Sequence, residues 1–260
     1  MMQHAFRLWR HLARQELQVR YRGTATGPAL ALLTPLAQVV AYGFVFGVVF
    51  RVSWPGVAAT DHLGLALHLF TGLAAFAAFA ELVAASPGLL VRHANYVRRV
   101  VMPLEVLPAV PAGSAFVHAV CALGLAVLMG ALDGRLPSAD ALWALPVLLL
   151  LLGMGIGIAL WLAAFGVYLR DLQHTMPLLL MLLMTTGAVL FPPTAVPASF
   201  AAVLVLNPVA WPVDAIRDAL WAGQAPEATA FLGYAGAVAL SVLSGLAVFR
   251  ALRPGFADVL

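Results

Sequence analysis

The sequence predicts an all-α membrane protein with six transmembrane helices. An N-terminal cytoplasmic amphipathic helix lies in the interface, and short re-entrant gate helices sit on the outer (periplasmic) side between spans five and six. Three observations predict this. Apolar residues make up 63% of the 260-residue chain and charged residues only 10%, where a soluble domain is about half apolar and a quarter charged. Six stretches approach the roughly 20 apolar residues that a helix needs to cross a bilayer. The fourteen basic residues are all arginine, and they gather in alternate loops.

Residues 1–27 carry Phe6, Trp9, Ala13 and Leu17 at three- and four-residue spacing, with Arg7, Arg10, Arg14 and Gln18 around the rest of the surface. A helix of this pattern lies in the interface plane with its tryptophan at headgroup depth. The segment is polar for too long to be a cleavable signal. Spans one to five occupy 28–191, at 28–50, 63–85, 104–132, 141–168 and 175–191, and span six covers 229–252. The stretch 192–226 is apolar yet broken by Pro192, Pro193, Pro197, Pro208 and Pro212. Each piece is too short to cross, so the stretch reads as outward gate helices with Asn207-Pro208 as the turn between them. The whole of 1–260 is read as a single transmembrane domain.

Six spans put both termini on one side. That side holds Arg7, Arg10, Arg14, Arg20, Arg22, Arg92, Arg98, Arg99, Arg170, Arg250 and Arg253. The other holds Arg51, Arg135 and Arg217, diluted by Asp61, Asp133, Asp140, Asp214, Asp218 and Glu227. Eleven arginines against three make the arginine-rich side cytoplasmic.

Composition also excludes function classes. A P-loop needs a lysine after its glycines, and the chain has none, so any ATP hydrolysis belongs to another subunit. No H-E-x-x-H helix or nucleophile elbow occurs, and no metal site or cofactor is expected in this chain. No basic stripe marks a polar face, which disfavours nucleic acid. Glu81 and Glu105 fall near cytoplasmic span ends, and only His68 and His118 lie deeper. A proton-driven carrier wants carboxylates near mid-membrane, and the sequence places none there.

Several segments carry two readings each. The loop after span two holds Arg92, His93, Asn95, Arg98 and Arg99, with Leu90, Ala94 and Val97 on one helical face. It is either a handle for a partner or a topogenic loop. In Tyr168–His174 the neighbours Arg170 and Asp171 do not face each other on a helix, so each pairs elsewhere or is simply solvated. Gly43-x-x-x-Gly47 and Gly153-x-Gly155-x-Gly157 allow close helix packing. Tyr42, Phe44, Phe46, Phe50, Phe76, Phe79, Trp161 and Phe165 stack on sugars or fill the core. Outward, Phe191, Pro192, Asn207, Pro208, Trp211, Asp214 and Arg217 belong to a lid or a static plug, and Asp214, Arg217 and Asp218 are spaced for local pairing.

Four stretches carry a family resemblance. They are Val19-Arg20-Tyr21-Arg22-Gly23-Thr24 with Leu33-Thr34-Pro35-Leu36 and Tyr42-Gly43-Phe44-Val45-Phe46; the run His93 to Pro108; Tyr168 to His174; and Phe191-Pro192 with Asn207-Pro208 and Arg217-Asp218. In this order they resemble the permease subunits of type-two ABC exporters for polysaccharides, the O-antigen permeases above all. Thr34 stands where that family has asparagine, and 29–31 lacks its usual tryptophan. The resemblance implies a homodimer in the bacterial inner membrane, served by two copies of a separate ATPase that binds ATP and Mg. Arg92, His93, Asn95, Arg98, Arg99, Arg170 and Asp171 would couple to that ATPase. The outward helices would gate a channel lined by aromatics, and the cargo would be a lipid-linked glycan. Arg20, Tyr21 and Arg22, at the cytoplasmic mouth, would suit its diphosphate. Rivals are a sibling permease for capsule, drug or small lipid, and an intramembrane lipid-modifying enzyme, which a convergence of His, Asp or Glu at one depth would favour.

Overall fold

The computed structural model describes residues 37, 39–41, 43–49, 52–93 and 104–259. The expected interface helix over 1–27, most of span one, and loop residues 94–103 lie outside the described residues.

Every regular element among the described residues is helical. A π-helical segment, Gly43–Val49, precedes α1, His62–Ala85. Asp61 starts α1 by accepting from the Gly64 amide at 2.8 Å, which satisfies one of the orphan N–H groups of a first turn. Ser86-Pro87-Gly88 ends it, with the Ser86 hydroxyl donating back to the Leu82 carbonyl at 2.6 Å. One turn, α2 (Leu89–Arg92), follows. A 3₁₀ stretch, Leu104–Ala109, leads into α3, Val110–Leu132, which Pro111 opens where a missing N–H is harmless. Gly134, at φ +83°, turns the chain into the next hairpin limb. Then come α4 (Ala144–Gly166), α5 (Leu172–Thr186), α6 (Ala201–Leu206), α7 (Ala210–Arg217) with a π turn at Asp218–Ala222, α8 (Ala228–Leu252) and α9 (Phe256–Val259).

Four segments among the described residues are long and apolar enough to cross a membrane: 62–85, 104–132, 139–166 and 228–255. The bent pair 198–206 and 210–222 turns through 95° and makes a fifth if it counts as one broken span. The protein is therefore a multi-pass helical membrane protein. The expected span at 175–191 is realised differently. α5 has 15 residues, about 22 Å at the helical rise, short of a hydrocarbon core of ~30 Å. It stops at Gly187, and Ala188 takes a left-handed φ of 54°.

α1 is apolar on every side and largely buried, so it forms the centre, with α3 and α4 beside it and α8 against α4. Glycine makes the α4–α8 seam tight. A methyl on Gly245 would meet the Gly157 carbonyl at 2.6 Å, and one on Gly153 would meet Val238 at 2.8 Å. Gly155 turns the other way, toward Leu82 and Phe79 of α1. The run Gly153-x-Gly155-x-Gly157 thus serves the close packing its spacing predicts. Gly43 and Gly47 likewise seat the π segment on Ala66 and His62.

Side-chain bridges define two ends of the bundle. Asp61 before α1 pairs with Arg135 after α3 at one end. At the other, Glu105 before α3 pairs with Arg253 after α8 at 3.2 Å, and the Tyr168 hydroxyl after α4 donates to the Leu252 carbonyl at 3.0 Å. The first is the acidic end, the second the arginine-rich end.

Candidate functional site

The acidic end is organised by Arg217, the largest fully buried side chain among the described residues, 1% exposed. Its Nε donates to the His68 carbonyl at 2.8 Å and Nη1 to the Ala188 carbonyl at 2.6 Å, while Nη2 donates to the Val189 carbonyl. The guanidinium carbon sits 4.6 Å from the Trp54 ring centroid, within cation–π range. Gly72 gives it room, because a Cβ there would collide with the guanidinium. One planar fork thus joins α7, α1 and the α5–α6 link, a task suited to arginine rather than lysine. The local pairing expected with Asp214 and Asp218 is not what forms. Among the described residues no ion pair links them to Arg217. The backbone carbonyls bared by the left-handed turn at Ala188 take the guanidinium instead.

Asn207 makes a second tie. Its Nδ2 donates to the Leu183 carbonyl and the Thr186 hydroxyl, both at 2.9 Å, and its Oδ1 accepts from the Val209 amide at 2.9 Å. The turn at Asn207-Pro208 is therefore fastened to the end of α5. The Tyr234 hydroxyl donates to the Pro208 carbonyl at 2.7 Å, and Trp211 packs on Tyr234 with ring centroids 5.0 Å apart. Pro192 is buried, and Phe191 and Asp214 are half-buried. A cavity of about 270 Å³ has a lining that includes His68, whose carbonyl Arg217 holds, together with Arg135 and Trp221.

At the arginine-rich end the anchors are apolar. Leu89 and Leu90 of α2 are buried with Leu104, Leu107, Val167, Phe249 and Phe256. Arg92 is left on the surface, its Nη2 donating to the Ala85 carbonyl at 2.6 Å, and His93 is half-buried with Nδ1 donating to the Leu89 carbonyl at 2.9 Å. Gly166 brings α4 against Pro87. A methyl on Gly88 would meet both Gln173 and Arg92, at 2.9 and 3.2 Å. The Arg92 turn and the loop of Arg170 and Asp171, both exposed, therefore form one surface. Asn95, Arg98, Arg99, Arg20, Tyr21 and Arg22 lie outside the described residues.

Among the described residues the expected channel aromatics lie in separate places. Phe79 is fully buried and Phe76 is 7% exposed, both in the core. Trp161 and Phe165 stack 5.8 Å apart, and the Trp161 indole donates to Ser244 of α8 at 3.2 Å. Phe44 is exposed, while Phe46 packs against the Trp54, Leu65 and Leu69 cluster. Tyr42 and Phe50 lie outside the described residues.

Sequence reasoning missed three participants: Trp54, Gly72, and a pairing of Glu81 with His118. Gly72 had little local signal, because α1 also holds Gly64 and eight alanines. Nothing local marks the others, since their partners lie 37 or more positions away.

The sequence profile of the ABC-2 type transporter family matches residues 7–221. The chain is 25% identical over 252 residues to the O-antigen export system permease protein RfbA of Klebsiella pneumoniae, covering 96% of this chain and 93% of that protein. It is also 25% identical over 249 residues to the protein of the same name from Myxococcus xanthus, covering 95% and 93%.

Proposed function

Because the chain belongs to the ABC-2 type transporter family, as a membrane subunit that has no ATPase domain and works with separate nucleotide-binding subunits, we propose that it exports a lipid-linked polysaccharide. In this reading two copies of the chain form the passage in a bacterial inner membrane, each with six spans and both termini cytoplasmic. Two ATPase subunits dock at the arginine-rich end. The observation that carries the cargo is the near-complete alignment, 96% of this chain, with a permease whose name specifies O-antigen export.

The geometry supports a division of labour. Arginines retained in the cytoplasm mark the docking side, and there the Arg92 turn and the Arg170 loop share one exposed surface. The outward end is a proline-bounded pair of short helices held by Arg217 and Asn207, the arrangement of a gate whose closed state is built from polar contacts. Arg20 and Arg22, which the sequence assigns to the cytoplasmic mouth of span one, would suit the diphosphate of such a cargo.

The test is reconstitution. The chain, co-purified with its ATPase subunit in proteoliposomes, is expected to move an undecaprenyl-diphosphate-linked glycan inward on external ATP, and the chain alone to move none. Transport by the chain alone, or by a complex that carries only small drugs or lipids, would overturn the reading.

A further inference from the structure

The cavity at the acidic end is walled by four segments of one chain. They are the loop 55–57, the start of α1 at Gly64 and His68, the turn after α3 at Arg135 and Leu136, and the π turn after α7 at Trp221. Asp61 precedes α1, and Asp133 and Arg135 follow α3, so the cavity lies among charged helix ends. Leu136 on its wall is 80% exposed, so it reaches the surface. The Trp221 indole is fixed: Nε1 donates to the Thr71 hydroxyl at 2.9 Å, and a Cβ on Gly130 would approach its far edge at 2.7 Å. The His68 ring neighbours Trp54 and Trp221, with centroids 5.6 and 6.1 Å away. Nδ1 of His68 donates to the Gly64 carbonyl at 2.8 Å, so in the neutral ring Nε2 is an acceptor, and it has no partner among the described residues. Arg135 commits Nη2 to Asp61 and Nε to Asp133. Its Nη1 lies against Gly64, where a Cβ would collide with it, and its donors are unpaired among the described residues.

These groups select the guest. Two carboxylates against one guanidinium oppose an anion, and the unpaired N–H edge of that guanidinium opposes a cation. A purely apolar guest would leave Nε2 and Nη1 desolvated without partners, which is costly. A neutral ring bearing hydroxyl groups satisfies every wall. Its C–H face lies on the indole, one hydroxyl donates to His68 Nε2, and another accepts from Arg135 Nη1. The volume of about 270 Å³ falls below the roughly 300–1,000 Å³ of sites for drug-sized ligands, so it takes one such ring and not a chain. We propose that this cavity is a subsite for a single neutral pyranose unit of the cargo at the outward end. This inference rests on the reading of the cargo as a glycan.

The experiment uses the complete complex with its ATPase subunit in lipid nanodiscs. Saturation-transfer NMR reads the binding of the methyl glycosides of glucose, galactose, mannose and rhamnose, with tetramethylammonium and inorganic diphosphate as charged probes. The expected result is saturable binding of at least one glycoside, with the C–H protons of one ring face receiving the most saturation, as stacking on an indole requires. Trp221→Leu should weaken that binding about tenfold through the lost ring face, and Trp221→Phe should retain most of it. Leu136→Trp extends a ring into the cavity from an exposed position. It should weaken binding at least about tenfold with the unfolding temperature unchanged, so it decides the matter even where Trp221→Leu does not assemble. No glycoside bound by the wild type, binding unchanged by Leu136→Trp, or binding of tetramethylammonium or diphosphate in place of the glycosides overturns the proposal. The two readings fail separately: export of glycan by a complex that binds no glycoside sinks this inference alone, and Leu136-dependent glycoside binding in a complex that exports no glycan sinks the cargo.

Discussion

The acidic end of the molecule and its arginine-rich end solve the same problem in opposite ways. Both must fasten short, irregular segments to long helices. The acidic end does so with polar side chains turned inward: Arg217 and Asn207 are buried and bonded to backbone carbonyls of other elements. The arginine-rich end does so with leucine and phenylalanine, and leaves Arg92, Arg170 and Asp171 exposed. The contrast teaches which charges are structural. A charge consumed by its own chain holds shape, whereas one left on an apolar-anchored turn is available to a partner. Substitutions at the two ends should therefore separate stability from coupling.

The largest effect is expected at Arg217. Arg217→Ala removes donors from three carbonyls and leaves a void beneath Trp54, a loss on the order of 3–5 kcal/mol. It should appear as a sharply lower unfolding temperature in detergent. Arg217→Lys should recover little, because a point charge cannot serve three carbonyls and a ring face together. Stability of Arg217→Ala close to wild type would erase the distinction between the ends.

Gly72→Ala comes next. The added methyl must displace the guanidinium, an overpacking penalty of about 1–3 kcal/mol. In an Arg217→Ala background the same methyl has room, so its penalty should largely vanish. That non-additivity, read as a double-mutant cycle, isolates the contact. Asn207→Ala, which unfastens the turn from Leu183 and Thr186 and leaves the buried Val209 amide without its acceptor, should cost about 1–3 kcal/mol.

These residues also mark how far the sequence could be read. The four long spans among the described residues were legible with nearly correct limits, because apolar runs bounded by Asp61 or Ser86-Pro87-Gly88 are local facts. Span five was not, because the left-handed turn at Ala188 that truncates α5 is held by Arg217, 29 positions further on. Arg217 itself looked like a member of a helical charge trio, since spacing favours i, i+3 partners and says nothing about carbonyls on another helix. Glu81 and His118 read as isolated polar residues because only the packing of α1 against α3 makes them a pair. The aromatics were legible as rings but not as a lining: Phe76 and Phe79 went to the core their apolar helix demands.

At the arginine-rich end the expected pattern reverses. Arg92→Glu or Arg170→Glu should leave the unfolding temperature nearly unchanged, within about 0.5 kcal/mol, as for exposed positions generally. Co-purification of the ATPase subunit should nevertheless fall, because a reversed rim charge opposes a docking surface. Retention of the ATPase by both variants would move the docking surface elsewhere.

The smallest effect belongs to an ion pair at the rim of the acidic end. Arg135 donates to Asp61 at 2.6 Å and to Asp133 at 2.9 Å. The hydrogen bond from Arg135 is the main reason the Asp61 carboxyl is held below its ordinary value of 3.8. A carboxyl with a depressed folded pKa contributes stability that is present above its unfolded pKa and lost as pH falls through the folded one. Acid from about pH 4 downward should therefore erode the contribution, while the range around neutrality stays flat. Because the pair is partly solvated, its worth is only about 0.2–1 kcal/mol. Arg135→Gln should remove that part of the acid sensitivity, so the wild-type advantage in unfolding temperature at neutral pH should shrink as the solution is acidified. An advantage that grows in acid would mean Asp61 is stabilised in its protonated form. The acidic end would then owe its shape to Arg217 and Asn207 with no contribution from its rim charges.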